Sequence, residues 1–120
     1  MNTQAGNDAE DCAEAYLIAR GLRTLARNVA CRYGEIDIVM EQGATVVFVE
    51  VRLRIGKKFQ TGAGSVDYRK QQRLIRTAGL MIQCMPILRD RPIRFDIIAY
   101  DTLCKNRKAH WIRQAFDASN

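Results

Sequence analysis

Two acidic residues stand inside apolar strands, where carboxylates are uncommon. The stretch from Gly34 to Arg54, GEIDIVMEQGATVVFVEVRLR, has the pattern of two strands joined by a short turn, with Asp37 and Glu50 in their interiors. A carboxylate buried on a sheet face costs several kcal/mol unless something compensates its charge. Two such carboxylates fit a hard divalent cation, Mg²⁺ or Mn²⁺, which can polarise a phosphodiester and activate water for in-line attack.

The turn between these strands decides whether the two carboxylates share a face. A two-residue turn at positions 42–43 places Asp37 opposite Phe48, and Glu50 then lies on the same face about 6–8 Å from Asp37. Arg52 follows on that face because side chains alternate along a strand. The opposite, apolar face is predicted to carry Ile36, Ile38, Met40, Val47, Val49 and Val51.

A second interpretation of these acids needs no metal ion. Glu50 can form an ordinary ion pair with Arg52 or Arg54, while Asp37 stays in contact with solvent. The spacing of the residues by itself leaves this interpretation and the metal site equally open.

A helix predicted near the N-terminus carries a third acid. Asn7 or Asp8 can cap this helix, which is expected to run to Arg20 and to stop at Gly21. Glu10 then falls in the first turn, where the helix dipole favours a carboxylate. From the residues alone, this stabilising role is the preferred interpretation of Glu10.

The remaining elements predict a mixed sheet flanked by helices. Strands are expected at 22–33, 35–40, 44–54, 93–100 and 109–116, and a second helix at 66–85 before Pro86. Because a helix connects the third and fourth strands, these two strands can lie parallel. The order α-β-β-β-α-β-β predicts an α/β protein with one domain.

The second helix has a predicted sheet-facing side. Its apolar residues are spaced to fall on one stripe, namely Leu74, Ile75, Ala78, Met81, Ile82 and Met85. Asp67 and Gln71 fall within this apolar sector near the start of the helix. They are therefore predicted to point at the sheet or at a cleft beside it.

The basic residues favour a polyanionic partner. The chain of 120 residues has a formal net charge of +6, and many of its cations fall between residues 52 and 76. Arg69, Arg73 and Arg76 alone would be read as a solvated helix face, but a Gly-Lys-Lys loop beside the acids favours a track for phosphates. The residues predicted to bind nucleic acid are Arg52, Arg54, Lys57, Lys58, Lys70 and Arg73.

The cysteines and the histidine argue against a zinc site. Cys12, Cys31, Cys84 and Cys104 are scattered without a Cys-x-x-Cys pair, and His110 is the one histidine. The cysteines are expected to be small buried residues in a reduced compartment. The N-terminus is acidic where a signal peptide is basic, and no apolar run approaches about 20 residues, so a cytoplasmic protein with no membrane contact is expected.

The acids and their neighbours resemble a known nuclease motif. Asp37, about a dozen intervening residues, then Glu50 and Arg52 are similar to the PD-(D/E)xK motif. More closely, the chain resembles the YraN family through GNDAEDCAEAYL, GEIDIV, VVFVEVR, VDYRKQQRL, RFDIIAY and WIRQAF, in this order. The resemblance implies a restriction-endonuclease-like three-layer core, similar to that of archaeal Holliday-junction resolvases.

The resemblance also implies which residues form the site. Asp37 and Glu50 match the metal-binding acids, and Glu10 matches a first-helix glutamate that completes the metal site in resolvase-like relatives. Lys70 and Gln71 match helix positions that border the active site. The implied catalytic residues are Asp37, Glu50, Arg52 and Gln71. The implied cofactor is Mg²⁺ or Mn²⁺, the implied partner is nucleic acid, with DNA expected, and resolvase-like relatives often pair into homodimers.

One residue departs from the motif, because Arg52 stands where the motif has lysine. Arginine does not readily lose its proton, and it prefers a planar, bidentate grip on phosphate. Phosphate binding is therefore expected to persist, whereas a step that needs a neutral amine is not. Three functions remain open, in this order: a DNA-binding, Mg²⁺-dependent endonuclease-like protein, a non-catalytic binding module of the same fold, and a protein–protein adaptor with structural acids.

Overall fold

The computed structural model describes residues 4–54, 66–101 and 108–118. These residues form α1 (Gln4–Ile18), β1 (Arg23–Cys31), β2 (Gly34–Gln42), β3 (Thr45–Arg54), α2 (Tyr68–Cys84), a 3₁₀ turn (Pro86–Leu88), β4 (Ile93–Asp101) and β5 (His110–Phe116). Apart from the short 3₁₀ turn, this is the order of elements that the sequence predicts.

The strands form one mixed sheet in the order β1-β2-β3-β4-β5. β3 and β4 are parallel, and the other neighbouring strands are antiparallel. α2 provides the crossover between the two parallel strands. Because α1 packs on one face of the sheet and α2 on the other, the protein has three layers. This confirms the predicted α/β architecture, which is compatible with an endonuclease-like core.

β3 is the central strand, and burial on both faces explains its nearly continuous apolar sequence. Val46 and Phe48 pack on the α2 side, where the ring of Phe48 stacks on Phe95 at a centroid distance of 5.4 Å. Val47 and Val49 pack on the α1 side. The strand that carries Glu50 is therefore held firmly between both helices.

The turn between β2 and β3 differs from the predicted one. The last pair before the turn joins Gln42 to Thr45, so the turn residues are Gly43 and Ala44. Gly43 has a φ of 59°, and a glycine with positive φ at the first turn position is typical of a type II′ turn. The sequence prediction put glycine at the second position instead, as in a type I′ turn.

This turn changes the register of the two strands. Phe48 pairs with Val39, so the predicted pairing of Asp37 with Phe48 is wrong. The paired part of β2 and β3 ends with Ile38 and Val49. Asp37 lies immediately beyond this last pair, at the point where its side chain can reach into the gap between the strands.

β2 changes the face of the sheet to which its side chains point near Asp37. Ile38 packs with α1, whereas Ile36 packs with α2, and the predicted placement of both on one face is wrong. Asn28 of β1 lies between the pairs Arg27–Ile38 and Val29–Ile36 and has a left-handed φ of 51°. This conformation departs from extended strand geometry opposite Asp37, although the pairing register is the same on both sides of it. The other residues predicted for the apolar face do pack with α1: Met40, Val47, Val49 and Val51.

α1 begins earlier than predicted. It starts at Gln4 and not after a cap at Asn7 or Asp8, since Gln4 and Ala5 are good helix formers. Glu10 consequently lies in the second turn. The dipole stabilisation expected for a first-turn carboxylate does not explain its presence.

α2 begins at Tyr68 because Asp67 caps its N-terminus. Asp67 is exposed and its Oδ1 accepts the N–H of Lys70 at 2.8 Å. Asp67 was predicted to point at the sheet or at a cleft beside it, and the structure shows it as the helix cap instead. The predicted apolar stripe packs on the α2-side core through Leu74, Ile75, Ala78, Met81, Ile82 and Met85. Across the described residues, neither helix has the length and apolarity that a membrane span requires.

The cysteines are more exposed than predicted. Cys12 and Cys84 are exposed, and Cys31 is half-buried with its Sγ 3.5 Å from Thr77 Oγ1. Both exposed cysteines lie beside the buried stripes of their helices and not within them. Cys104 falls outside the described residues.

Candidate metal and nucleic-acid site

Three acids from two elements meet at one edge of the β2–β3 gap. Glu10 of α1 and Glu35 and Asp37 of β2 each offer a carboxylate oxygen, and these oxygens all lie within 4.8 Å of one another. Glu10 is fully buried, Asp37 is 4% exposed and Glu35 is half-buried. Glu10 and Asp37 belong to the predicted metal set, and their role as ligands stays a prediction.

Close packing of α1 brings its acid to the sheet. Ala9 and Ala13 are completely buried, and their small side chains allow the helix to approach the strands closely. Glu10 lies three residues before Ala13 on the same helix face, which places it in the interior. On β2, Glu35 and Asp37 are two residues apart, so they can emerge on the same side of the strand.

Two residues of β1 provide polar partners for these acids. Arg27 Nη2 lies 3.3 Å from Glu10 Oε1, although the same guanidinium also pairs with two further acids of α1. In the amide orientation that satisfies both carboxylates, Asn28 Nδ2 donates to Glu10 Oε1 at 2.9 Å and to Glu35 Oε1 at 3.1 Å. The left-handed residue of β1 therefore links the helix acid to the strand acid.

Asp37 is the acid whose ionisation is most affected by the fold. Burial, reinforced by the negative charge of Glu50 and less strongly by that of Glu10, raises the pKa of Asp37 to about 7. The N–H of Val51 donates to Asp37 Oδ2 at 2.8 Å and opposes this rise in pKa. The negative charges of Glu10 and Glu50 therefore both act on the Asp37 carboxylate.

Glu50 is neutralised by a lysine from α2. Lys70 Nζ lies 2.9 Å from Glu50 Oε1, and the side chain of Glu50 is only 6% exposed. One interpretation of the sequence pairs Glu50 with Arg52 or Arg54, whereas the cation that contacts Glu50 among the described side chains is Lys70. A pocket of about 170 Å³ opens beside the pair, lined by Glu50, Val51, Arg52, Leu53 and Lys70.

Of the other predicted site residues, Gln71 and Arg73 do not line this pocket. Gln71 is half-buried and its Nε2 donates to the carbonyl of Val66 at 2.9 Å, and its predicted orientation toward the sheet or a cleft stays a prediction. Arg73 is exposed on α2. The side chain of Arg54, together with Lys57 and Lys58, lies outside the described residues.

The donor set fits a hard divalent cation. Carboxylate oxygens are the ligands that Mg²⁺ and Mn²⁺ prefer, and here three of them converge from a helix and a strand. A cation among them would favour the ionised form of Asp37, which burial and neighbouring charges otherwise disfavour. Glu10, Glu35 and Asp37 can therefore hold such an ion. Glu50, the third acid predicted as a ligand, is not one of these three and pairs with Lys70, although its charge acts on Asp37.

Glu35 was missed by the sequence reasoning, which kept only Asp37 from the segment GEID. A signal was present, since residues two apart on a strand point to the same side. A metal-binding interpretation of Asp37 could therefore have included Glu35 as a neighbour.

A further buried acid, Asp96 of β4, is structural. It is completely buried and accepts hydrogen bonds from Arg94 Nε at 3.0 Å, Trp111 Nε1 at 2.9 Å and the N–H of Gln114 at 2.9 Å. These contacts join β4 to β5 and satisfy the carboxylate with protein donors. Asp96 is therefore not assigned to the site.

Comparison with known proteins shows the family of the chain. The model of the group described as "Uncharacterised protein family UPF0102" matches residues 9–100. The chain belongs to the UPF0102 family. A UPF0102 protein of Methylobacillus flagellatus is 48% identical over 118 residues, which cover 96% of this chain and 98% of the relative. A UPF0102 protein of Pseudomonas entomophila is 45% identical over 114 residues, covering 94% and 93%.

Membership of UPF0102 confirms the resemblance to the YraN family. The matched span runs from the second turn of α1 into β4, so it includes the acids Glu10, Glu35, Asp37 and Glu50 together with Lys70. The UPF0102 description names no activity. The function of the site is therefore inferred from its geometry.

Proposed function

We propose that this UPF0102 protein binds DNA and hydrolyses its phosphodiester bonds with the help of Mg²⁺ or Mn²⁺. The observation that supports this proposal is the convergence of Glu10, Glu35 and Asp37, whose carboxylate oxygens lie within 4.8 Å of one another. A surface used only as an adaptor would gain nothing from burying a carboxylate whose pKa is raised to about 7.

The proposal assigns different roles to the acids and to the cations. Glu10, Glu35 and Asp37 would hold the divalent cation, which supplies Lewis-acid polarisation of the phosphodiester when bound. Arg52 and Lys70 line the pocket beside Glu50, and we assign to them the binding and orientation of the phosphate. Arg52 suits a bidentate grip on phosphate oxygens, whereas Lys70 acts as a compact charge.

Lys70 can supply the lysine that the nuclease motif has at the position of Arg52. β3 carries no lysine after Glu50, but Lys70 reaches Glu50 from α2 with its Nζ at 2.9 Å. Lysine can exchange its proton near a reacting group, which arginine cannot readily do. We therefore assign to Lys70 the role that a lysine on the strand has in the motif.

A cleavage assay tests the proposed hydrolysis. Labelled branched, single-stranded and duplex DNA would be incubated with the protein in Mn²⁺, Mg²⁺ or EDTA. We expect products that require a cation, a loss of about 100-fold or more in rate for Asp37→Asn, and a smaller loss for Lys70→Ala. Asp90→Asn, on the exposed surface, serves as the matched control. Failure of the wild-type protein to cut any of these substrates in Mn²⁺ would contradict the hydrolase.

A non-catalytic DNA-binding module is the second candidate function. The observation that favours it is Arg52 itself, which lines the pocket and retains its charge under all ordinary conditions. Arg52→Lys discriminates between the two functions. If this variant and the wild-type protein bind DNA and neither cleaves it, the binding module is supported.

A further inference from the structure

A basic and aromatic surface is formed where the β1–β2 turn meets α2. The guanidinium carbon of Arg32 lies 4.9 Å from the ring centre of Tyr33, and that of Arg76 lies 5.9 Å from the same centre. Arg32 Nη2 also donates to Tyr33 Oη at 3.0 Å. One arginine of the turn and one arginine of the helix thus lie near the same ring. We call Arg32, Tyr33 and Arg76 the Tyr33 clamp.

The two cations of the Tyr33 clamp are exposed, and neither forms an ion pair within the described residues. The ion pairs within the described residues engage other basic side chains, namely Arg23, Arg27, Lys70, Arg91 and Arg94. In that part of the chain no carboxylate lies within ion-pair distance of Arg32 or Arg76. Neighbouring guanidinium groups without a countercharge attract an anion, and stacking on an aromatic ring limits the freedom that each would lose on binding one.

The turn that carries the clamp is held directly against α2. Gly34 follows Tyr33, and a Cβ atom at Gly34 would lie only 3.7 Å from Arg73 Cβ and 3.8 Å from Thr77 Oγ1. Gly34 also has a φ of 151°, a backbone conformation that residues with a side chain rarely adopt. This close packing keeps the turn residue Tyr33 near the helix residue Arg76, so the two cations are supported by the fold.

Along the backbone of β2, the clamp and the acids are separated by a few residues. Tyr33 precedes Glu35 by two residues and Asp37 by four. At about 3.3 Å per strand residue this separation is roughly 7–13 Å. Because a strand winds around the axis, its successive phosphates lie farther apart than the axial rise of about 3.4 Å per nucleotide, so this distance spans only the next phosphate or two.

We propose that Arg32, Tyr33 and Arg76 bind a backbone phosphate about one or two nucleotides away from the phosphodiester held at the acids. This inference rests on the proposed function and names its substrate class. A protein that grips one strand at both places acts on a polynucleotide that continues past the acids toward the β1–β2 turn. A mononucleotide is too short to reach both sites. The contacts are to phosphates, so they carry no base preference.

DNA binding by clamp variants tests this inference. Fluorescence anisotropy with a labelled DNA duplex of about 20 base pairs, in EDTA, would be measured across a series of salt concentrations. We expect Arg32→Ala and Arg76→Ala each to weaken binding about tenfold and to reduce the salt slope by about one. Tyr33→Leu should also weaken binding although it removes no charge.

Arg20→Ala is the matched control, because Arg20 also stacks on a tyrosine, with its guanidinium carbon 3.4 Å from the ring centre of Tyr16 on α1. The control removes the same charge from a different surface and should weaken binding less than about twofold. Equal losses for Arg32→Ala and Arg20→Ala, or wild-type affinity for Tyr33→Leu, would overturn the clamp. Arg32→Lys and Arg76→Lys retain the charge. Their affinities for DNA should lie between those of the wild-type protein and the alanine variants if the planar guanidinium contributes to phosphate binding.

The outcomes separate the clamp from the proposed hydrolase. If the wild-type protein cleaves DNA but the clamp variants match Arg20→Ala, the clamp alone is overturned. If the clamp variants lose affinity for DNA but neither they nor the wild-type protein cleave it, the clamp is supported as part of a binding module and the hydrolase is overturned. If the wild-type protein does not bind DNA at all, both are overturned.

Discussion

The carboxylate of Asp37 accepts the backbone N–H of Val51 at 2.8 Å, just beyond the last residue pair between β2 and β3. The side chain thereby takes a position that backbone atoms would occupy if the two strands continued side by side. This bond fixes the carboxylate between Glu10 from α1 and Glu50 of β3, and both charges raise its pKa. Asp37, the central acid of the candidate site, thus lies where the pairing of β2 and β3 ends.

The raised pKa of Asp37 predicts how stability depends on pH. The folded protein holds the Asp37 proton up to a pH of about 7, whereas an unfolded aspartate loses it near its ordinary pKa of 3.8. Its contribution to stability is therefore complete below that ordinary value and is lost as the pH rises toward and through 7. Without divalent cations, thermal melts should show this loss for the wild-type protein.

Asp37→Asn isolates this effect because asparagine can still accept the Val51 N–H through its side-chain oxygen. We expect the variant to melt at least about 4 °C above the wild-type protein at pH 8 in EDTA, and close to it near pH 4. A variant that melts below the wild-type protein at pH 8, or shows the same difference at both pH values, would contradict the assignment. Asp90→Asn should show no pH-dependent difference.

The pair of Glu50 and Lys70 predicts a second change in stability. Lys70→Met leaves Glu50 almost fully buried without its cation, while the side chain of Lys70 is 33% exposed. We expect a loss of about 1–3 kcal/mol in the free energy of unfolding, discounted for that exposure. Denaturant unfolding would measure it.

The double variant Glu50→Gln with Lys70→Met provides the control for this pair. Removing both charges should recover most of the stability lost by Lys70→Met alone. Arg69→Ala, which removes an exposed cation one residue earlier, should change stability by less than about 0.5 kcal/mol. Equal effects of Lys70→Met and Arg69→Ala would show that the ion pair contributes nothing.

Asp96 predicts a structural phenotype distinct from that of the site. Asp96→Ala removes the acceptor of Arg94, Trp111 and the Gln114 N–H, and should lower the free energy of unfolding by about 3–5 kcal/mol. Trp111 is the one tryptophan, so its fluorescence reports on this contact directly. We expect altered emission in the folded variant and unchanged binding of divalent cations. Wild-type stability of Asp96→Ala would contradict the structural role.

Much of the fold follows from local patterns in the sequence. The apolar stripe of α2 is confirmed because helical periodicity is visible within a short stretch of sequence. The parallel pairing of β3 and β4 is confirmed because a helix lies between these two strands in the chain. The β2–β3 register was wrong because the sequence QGA permits turns that place Gly43 at either central position. Only the packed sheet selects between them.

The site was less predictable, since its acids come together through contacts distant in sequence. Asn28 gave no signal of its left-handed conformation, although it links Glu10 to Glu35. The partner of Glu50 was also missed, because Lys70 belongs to a helix whose placement depends on the whole sheet. Residue types on one strand therefore identify Asp37 as unusual, but they do not identify its neighbours.

Titration with Mn²⁺ tests most directly the claim that acids of α1 and β2 share one cation. Electron paramagnetic resonance of free Mn²⁺ would be recorded for the wild-type protein, Glu10→Gln, Glu35→Gln, Asp37→Asn and the control Asp90→Asn. We expect one Mn²⁺ per wild-type or Asp90→Asn chain at pH 8, and affinity at least about tenfold weaker for each of the other three variants. Undiminished Mn²⁺ affinity in those three variants, or no binding by the wild-type protein, would contradict the claim.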